Sequence, residues 1–283
     1  MPGRLFVVST PIGNLEDITL RALSTLKAVD LIAAEDTRRT GTLLKHFNIS
    51  TPTTSYHEHN ERQKLPGLLQ KLADGHDIAL VSDAGTPVVA DPGQRLTEAA
   101  LDRGFQVVPI PGASALMSAL SASGFPADRF VFLGFAPSRS SDRKKWVSEL
   151  ASEPRSIVLF EAPHRIEDLL SRLAATLVNR PIFVGREMTK LHEQGIRVPA
   201  NMALRAAIPS KGEFTIVIGP RSEDDRPRLQ AATDEEVTSY FGQMTNSSGI
   251  SRREAVSRTA KYFGLSTNNV YALLERLKAT PAP

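Results

Sequence analysis

The chain has 283 residues, enough for about two domains at roughly 150 residues each. A hydrophobic share of 41% and a charged share of 23% exclude global disorder, and the absence of cysteine excludes disulfides, thiolate nucleophiles, iron–sulfur clusters and Cys-ligated zinc. A net charge of +3 is too small to define a polyanionic partner. No apolar run approaches the ~20 residues of a membrane span and the start lacks a signal-peptide stretch, so a cytoplasmic protein is expected.

Short β-branched runs alternate with amphipathic stretches up to about residue 220. Strands are expected at Leu5–Val8, Asp30–Ala34, Ile78–Val81 and Phe105–Ile110. Helices are expected at Asp17–Ala28, Arg38–Phe47, after Pro92-Gly93, and at Ser114–Ser121. Continuous rather than alternating apolar strands argue for a parallel-rich sheet flanked by helices. Gly124-Phe125-Pro126 reads as a boundary. Beyond it, strands at Phe130–Leu133, Ile157–Phe160, Pro181–Val184 and Phe214–Ile218 alternate with helices near 142–152, 166–178 and 200–207.

The expected organisation is therefore an α/β domain over 1–123, a second over 124–221, a polar Pro-containing linker over 222–232, and a helical module over 233–283. In that module Thr233-Asp234-Glu235-Glu236 and Ser251-Arg252-Arg253-Glu254 have capping-box spacing. Two short helices around Gly264 read as helix-turn-helix-like. Arg252, Arg253 and Asn268-Asn269 would touch nucleic acid there; the alternative is a docking or dimerisation module.

Ligands of doubly wound sheets bind beyond the carboxyl ends of the strands. Four such loops here are rich in glycine, proline and polar residues: Ser9–Leu15, Glu35–Arg38, Ser82–Pro87 with Asp91-Pro92-Gly93, and Pro111–Ala115. Four together indicate a small-molecule site. A P-loop, a helix-opening G-x-G-x-x-G and G-x-S-x-G are all missing, which removes P-loop phosphate transfer, dinucleotide folds and the commonest hydrolase signature. His57-Glu58-His59 lacks the helical spacing of a metal motif, so no metal is expected.

Val8–Ile18, Ala34–Arg38 and Ser82–Pro87 resemble the tetrapyrrole-methylase superfamily, within it the branch acting on small-subunit ribosomal RNA. Pro111–Ala115, Gly134–Pro137, Glu161–Arg165, Arg186–Lys190 and Gly212–Thr215 continue the likeness, with Ala136 and Met188 where leucine is expected. The resemblance implies two α/β domains with S-adenosylmethionine in the cleft between them, and a homodimer. It also implies 2′-O-methylation of a cytidine in the decoding region of 16S rRNA, on naked RNA or the small subunit. The cofactor residues would be Pro11, Gly13, Asp83, Ala84, Gly85, Ser114, Ala115, Phe132, Pro163, Glu213 and Thr215.

A ribose hydroxyl must lose its proton as it attacks, so a general base helps. Glu187 with Lys190 is favoured, with Glu35 and Asp36 as alternatives; a lysine would have to be made neutral by burial. Arg38, Arg39, Arg139, Arg143, Lys144, Lys145 and Arg165 are the expected RNA contacts. A tetrapyrrole methyltransferase and a non-enzymatic nucleic-acid-binding protein are the competing readings.

Overall fold

The computed structural model describes residues 1–206, 208–221, 234–247, 250–263 and 265–279. The expected linker, the Thr233 cap and the Gly264 turn lie outside the described residues. The chain divides into two compact units, Met1–Ser222 and Glu223–Pro283.

The first unit begins with β1 (Leu5–Val8), α1 (Leu20–Ala28), β2 (Leu31–Ala34), α2 (Thr37–His46), β3 (Thr53–Ser55) and α3 (Glu61–Ala73). It continues with β4 (Ile78–Val81), α4 (Gln94–Asp102), β5 (Val107–Ile110) and α5 (Ala115–Ser123). The strands form one sheet in the order β3-β2-β4-β1-β5, parallel throughout. Leu26 of α1 and Leu44 of α2 cover one face with Val8 and Ile32; Leu69 and Leu72 of α3 and Leu96 of α4 cover the other with Leu5 and Leu80. Side-chain caps start the helices: Thr19 accepts from Ala22 N–H, Asp36 from Arg38 N–H, and Ser114 from Met117 N–H.

The second sheet is built from β6 (Phe130–Phe135), β7 (Ser156–Glu161), β8 (Pro181–Arg186), β9 (Gln194–Pro199) and β10 (Phe214–Ile218), in the order β6-β7-β10-β8-β9. Only β6–β7 is parallel; the other pairings are antiparallel, a strand direction that the α/β alternation of this half left open. Helices α6 (Ser140–Leu150) and α7 (Ile166–Leu177) bury Phe214, Ile216 and Ile218 on one face. Helix α5 covers the opposite face with Val158, Phe183 and Val217. It precedes the expected boundary at residue 124 yet packs on the sheet that follows it.

The second unit holds α8 (Asp234–Ser247), α9 (Arg252–Phe263) and α10 (Thr267–Ala279). They meet through Phe241, Val256, Ala260, Val270 and Leu274, with Ser251 and Ser266 capping α9 and α10. Arg252 and Arg258 pair with Glu275 and Glu254, and Arg253 is exposed.

Candidate active site

The loops after β1, β2, β4 and β5 leave the same edge of the parallel sheet and are tied together. Thr10 and Gly85 exchange backbone hydrogen bonds at 2.9 and 3.0 Å. Gly85 holds φ +82°, a left-handed conformation that favours glycine. The Ser9 and Thr86 hydroxyls bond each other at 2.9 Å. Asp83 N–H donates to Glu35 Oε2 (3.1 Å), Asp36 N–H donates to Asp83 Oδ1 (3.0 Å), and Arg39 pairs with Asp83 Oδ2 (3.2 Å). The carboxylates are thus fixed by backbone before any ligand arrives.

Opposite these loops stand the ends of β6, β7 and β10, and between them lies a cavity of about 360 Å³. Asp83, Ala84, Gly85, Ser114, Ala115, Pro163, Glu213 and Thr215 line it, as do Glu35 and Arg39. Phe132 does not. The β6–β7 register shifts between Phe132 and Phe135, where Gly134 has φ +63°, so Phe135 lines the cavity while Phe132 packs edge-on against Phe160. Pro11 and Gly13 face a neighbouring cavity instead.

Ile12, Asp91, Glu161 and Phe160 line the main cavity and were not among the expected cofactor residues. Asp91 follows the Ser82–Pro87 loop, and burial pushes its carboxyl up to about 6, with the charges of Glu35 and Asp83 adding to the shift. Glu161, the last residue of β7, has a fully buried side chain whose Oε2 lacks a hydrogen-bond partner. Its Oε1 accepts from Arg165 (2.7 Å) and Ala162 N–H (2.8 Å).

The base candidates separate. Glu35 is half-buried in the cavity; desolvation raises its carboxyl, Asp83 N–H opposes this and the Asp83 charge adds to it. Asp36 caps α2, and its Arg38 partner (2.8 Å) holds it well below the usual carboxylate range. Lys190 reaches both Glu187 Oε1 (2.9 Å) and Glu213 Oε2 (3.1 Å). Burial lowers the Lys190 ammonium, but those bonds and charges outweigh it and the net shift is upward. Glu187 is likewise raised by burial and lowered on balance by Lys190 and Glu213 N–H. Lys190 is therefore a cation that keeps its proton, not a neutral amine, and Glu187 is its counter-ion.

The basic cluster also divides. Arg139, Lys144 and Lys145 are exposed, as are Arg38 and Arg39. Arg143 is not an RNA contact: its side chain is 3% exposed, donating to Pro137 O and Asp168 (2.9 Å each) and lying 3.6 Å from Glu161 Oε2. Arg165, 20% exposed, is held by Glu161 and is a paired, mostly buried cation rather than a surface one.

Fold and cavity together define a methylase of the tetrapyrrole type: residues 4–203 match the family described as Tetrapyrrole (Corrin/Porphyrin) Methylases. A solved uroporphyrin-III C-methyltransferase from Thermus thermophilus, complexed with S-adenosylhomocysteine, superposes with a TM-score of 0.54 at 17% identity over 77% of this chain and 97% of that one. A ribosomal RNA small subunit methyltransferase I of Synechocystis is 44% identical over 98% of this chain and 99% of its own. Its namesake of Escherichia coli O157:H7 is 50% identical over 79% and 80%. The chain belongs to this family and, within it, to the group of proteins named ribosomal RNA small subunit methyltransferase I.

Proposed function

We propose that this S-adenosylmethionine-dependent methyltransferase methylates the 2′-hydroxyl of a cytidine in the decoding region of 16S rRNA. The observation that carries the cofactor reading is the acidic cavity. Glu35, Asp83, Asp91, Glu161 and Glu213 face a space whose only basic lining side chain, among the described residues, is Arg39. Such a wall suits a ligand with positive charge and N–H donors, and repels a polyphosphate. Glu161 adds a buried carboxylate behind that wall, held by Arg165 and beside Arg143, and Ile12, Phe135, Phe160 and Pro163 supply apolar surface for an aromatic base. S-adenosylmethionine fits this set, and when bound supplies an electrophilic methyl group on a sulfonium.

The chain's own part is to position and to move a proton. Glu35, raised by burial and held by Asp83 N–H, takes the proton of the attacking ribose hydroxyl. Asp83, clamped by Asp36 N–H and Arg39, keeps a fixed negative charge beside the cofactor. The exposed Arg38, Arg139, Lys144 and Lys145 follow the RNA backbone. The same reading includes two functional α/β halves and a cytoplasmic homodimer. Among the described residues no helix is long and apolar enough to cross a membrane, and Leu191, 94% exposed, offers apolar surface for a second copy. The test is transfer of tritiated methyl to small ribosomal subunits, with the label mapped to a ribose; label on a base, or none, refutes the proposal.

A further inference from the structure

The loop after β1 faces a second cavity of about 240 Å³. One face of α2 closes it, where Arg39, Thr42, Leu43 and His46 recur at helical spacing. Arg39 and Asp83 line both cavities, so their 3.2 Å ion pair is the partition between them. Charge is sorted across that partition. The large cavity collects carboxylates, whereas in the second Asp83 is the only carboxylate among the lining residues and faces Arg39, with the His46 ring adding a hydrogen-bonding group. Leu15 and Leu43 add apolar surface, and Gly13 brings the stem of Lys190 to the rim: a Cβ at Gly13 would collide with Lys190 Cγ.

We infer that this second cavity holds the acceptor nucleotide of a single RNA strand, its phosphate against Arg39 and His46 and its base against Leu15 and Leu43. The inference rests on the proposed methyl transfer to RNA and specifies where the acceptor sits. An anion and a cation prefer opposite sides of the partition, and Glu35, whose carboxylate accepts from Asp83 N–H, lies on its cofactor side. A paired, stacked nucleotide does not fit a recess of this size, so the nucleotide enters unstacked.

The test uses the full chain, unmethylated small ribosomal subunits and tritiated S-adenosylmethionine. Thr42→Trp fills the cavity and His46→Glu places a carboxylate in it; both positions are exposed, which spares the core. The expected result is at least a ~tenfold rise in KM for subunits in each variant, with calorimetric affinity for S-adenosylhomocysteine within about twofold of the parent. His46→Glu should also weaken subunit binding more than Thr42→Trp does at low salt, because it sets a carboxylate against the phosphate. Unchanged KM and kcat in both variants would overturn the inference, as would loss of S-adenosylhomocysteine affinity, which would assign the cavity to the cofactor. If the parent protein transfers no methyl to subunits, the methyl-transfer reading fails and this inference fails with it.

Discussion

Replacing Arg143 by methionine distinguishes a buried clamp from a surface cation. Methionine keeps much of the apolar stem and deletes the guanidinium. Asp168 is 49% exposed and regains water, so its loss of a partner costs little. Glu161 has no exposed side-chain surface, and Arg143 is the cation beside its Oε2, at 3.6 Å. Leaving a buried charge without its partner costs about 3–5 kcal/mol. Arg165 and Ala162 N–H still hold Oε1, which puts the change at the lower end, about 3 kcal/mol. In a unit of this size each kcal/mol moves the midpoint by about 2–4 °C, so Tm should fall by roughly 6–12 °C in a scanning calorimeter. Lys144→Ala and Lys145→Ala, on exposed neighbours in the same run, should stay within about 0.5 kcal/mol of the parent. A fall below about 2 °C for Arg143→Met would refute the burial argument and return Arg143 to the RNA face.

Burial pushes the Asp91 carboxyl up from 3.8 to about 6. A raised acid contributes stability below its unfolded pKa and loses it as pH rises through the folded value, so the unliganded protein should weaken between about pH 4 and 6. The preference for S-adenosylmethionine over S-adenosylhomocysteine, whose sulfur is a neutral thioether, should grow over that window as Asp91 ionises; calorimetry on Asp91→Asn should show no growth. Gly85→Val forces a β-branched residue into φ +82° with its Cβ 3.3 Å from Ile12 Cγ2, so cofactor affinity should drop at least ~tenfold while melting stays cooperative. Arg139, Lys144 and Lys145 changed together to alanine should make the salt dependence of subunit binding shallower by up to ~2 in log–log slope, at about 0.7 per contact. In single-turnover assays Glu35→Gln should slow methyl transfer by ~100-fold and Lys190→Ala by less than ~tenfold; the reverse order would place the base in the turn after β8.

Most strands and helices were legible because a strand covered on both faces writes a continuous apolar run, as in Ile78–Val81, which is buried throughout. That same signal marks the strands of the second half without giving their direction. Strand β10 is also buried throughout, between α5 and α6/α7, and burial on both faces says nothing about strand direction. Helix α3 escaped because Pro66-Gly67 interrupts it, and β3 because it is a three-residue polar edge strand. Strand β9, Gln194–Pro199, is an edge strand of mixed polarity with no apolar run to mark it. For Arg143 a signal existed: it stands four and seven residues before Val147 and Leu150, the other buried positions of α6, and so shares their inward face. Phe135 carried no such mark, since a bulge at Gly134 rather than any pattern turns it into the cavity.

The cavity needs both sheets, and the turn after β8 shows how they are kept in register. Glu187 and Thr189 hold φ +51° and +67°, conformations that cost energy for residues with side chains and persist only where surroundings dictate them. Here they do. Glu187 N–H donates to Glu213 O (3.0 Å), Thr189 N–H to Glu193 Oε2 (2.7 Å), and Asn14 N–H to Thr189 Oγ1 (3.2 Å). The last bond crosses from the second sheet's turn to the loop after β1, where Gly13 leaves room for the Lys190 stem. The first sheet supplies Glu35, Asp83 and Asp91; the second supplies Glu161, Thr215 and the aromatic rings. A strained turn fixed from both sides holds these groups at a set separation before any ligand arrives, and in such a preorganised site ligand binding need not bear the ordering cost. Lys190 serves that geometry through its charge: kept protonated by Glu187 and Glu213, it offsets the acidity of the rim while leaving the carboxylates inside to the cofactor.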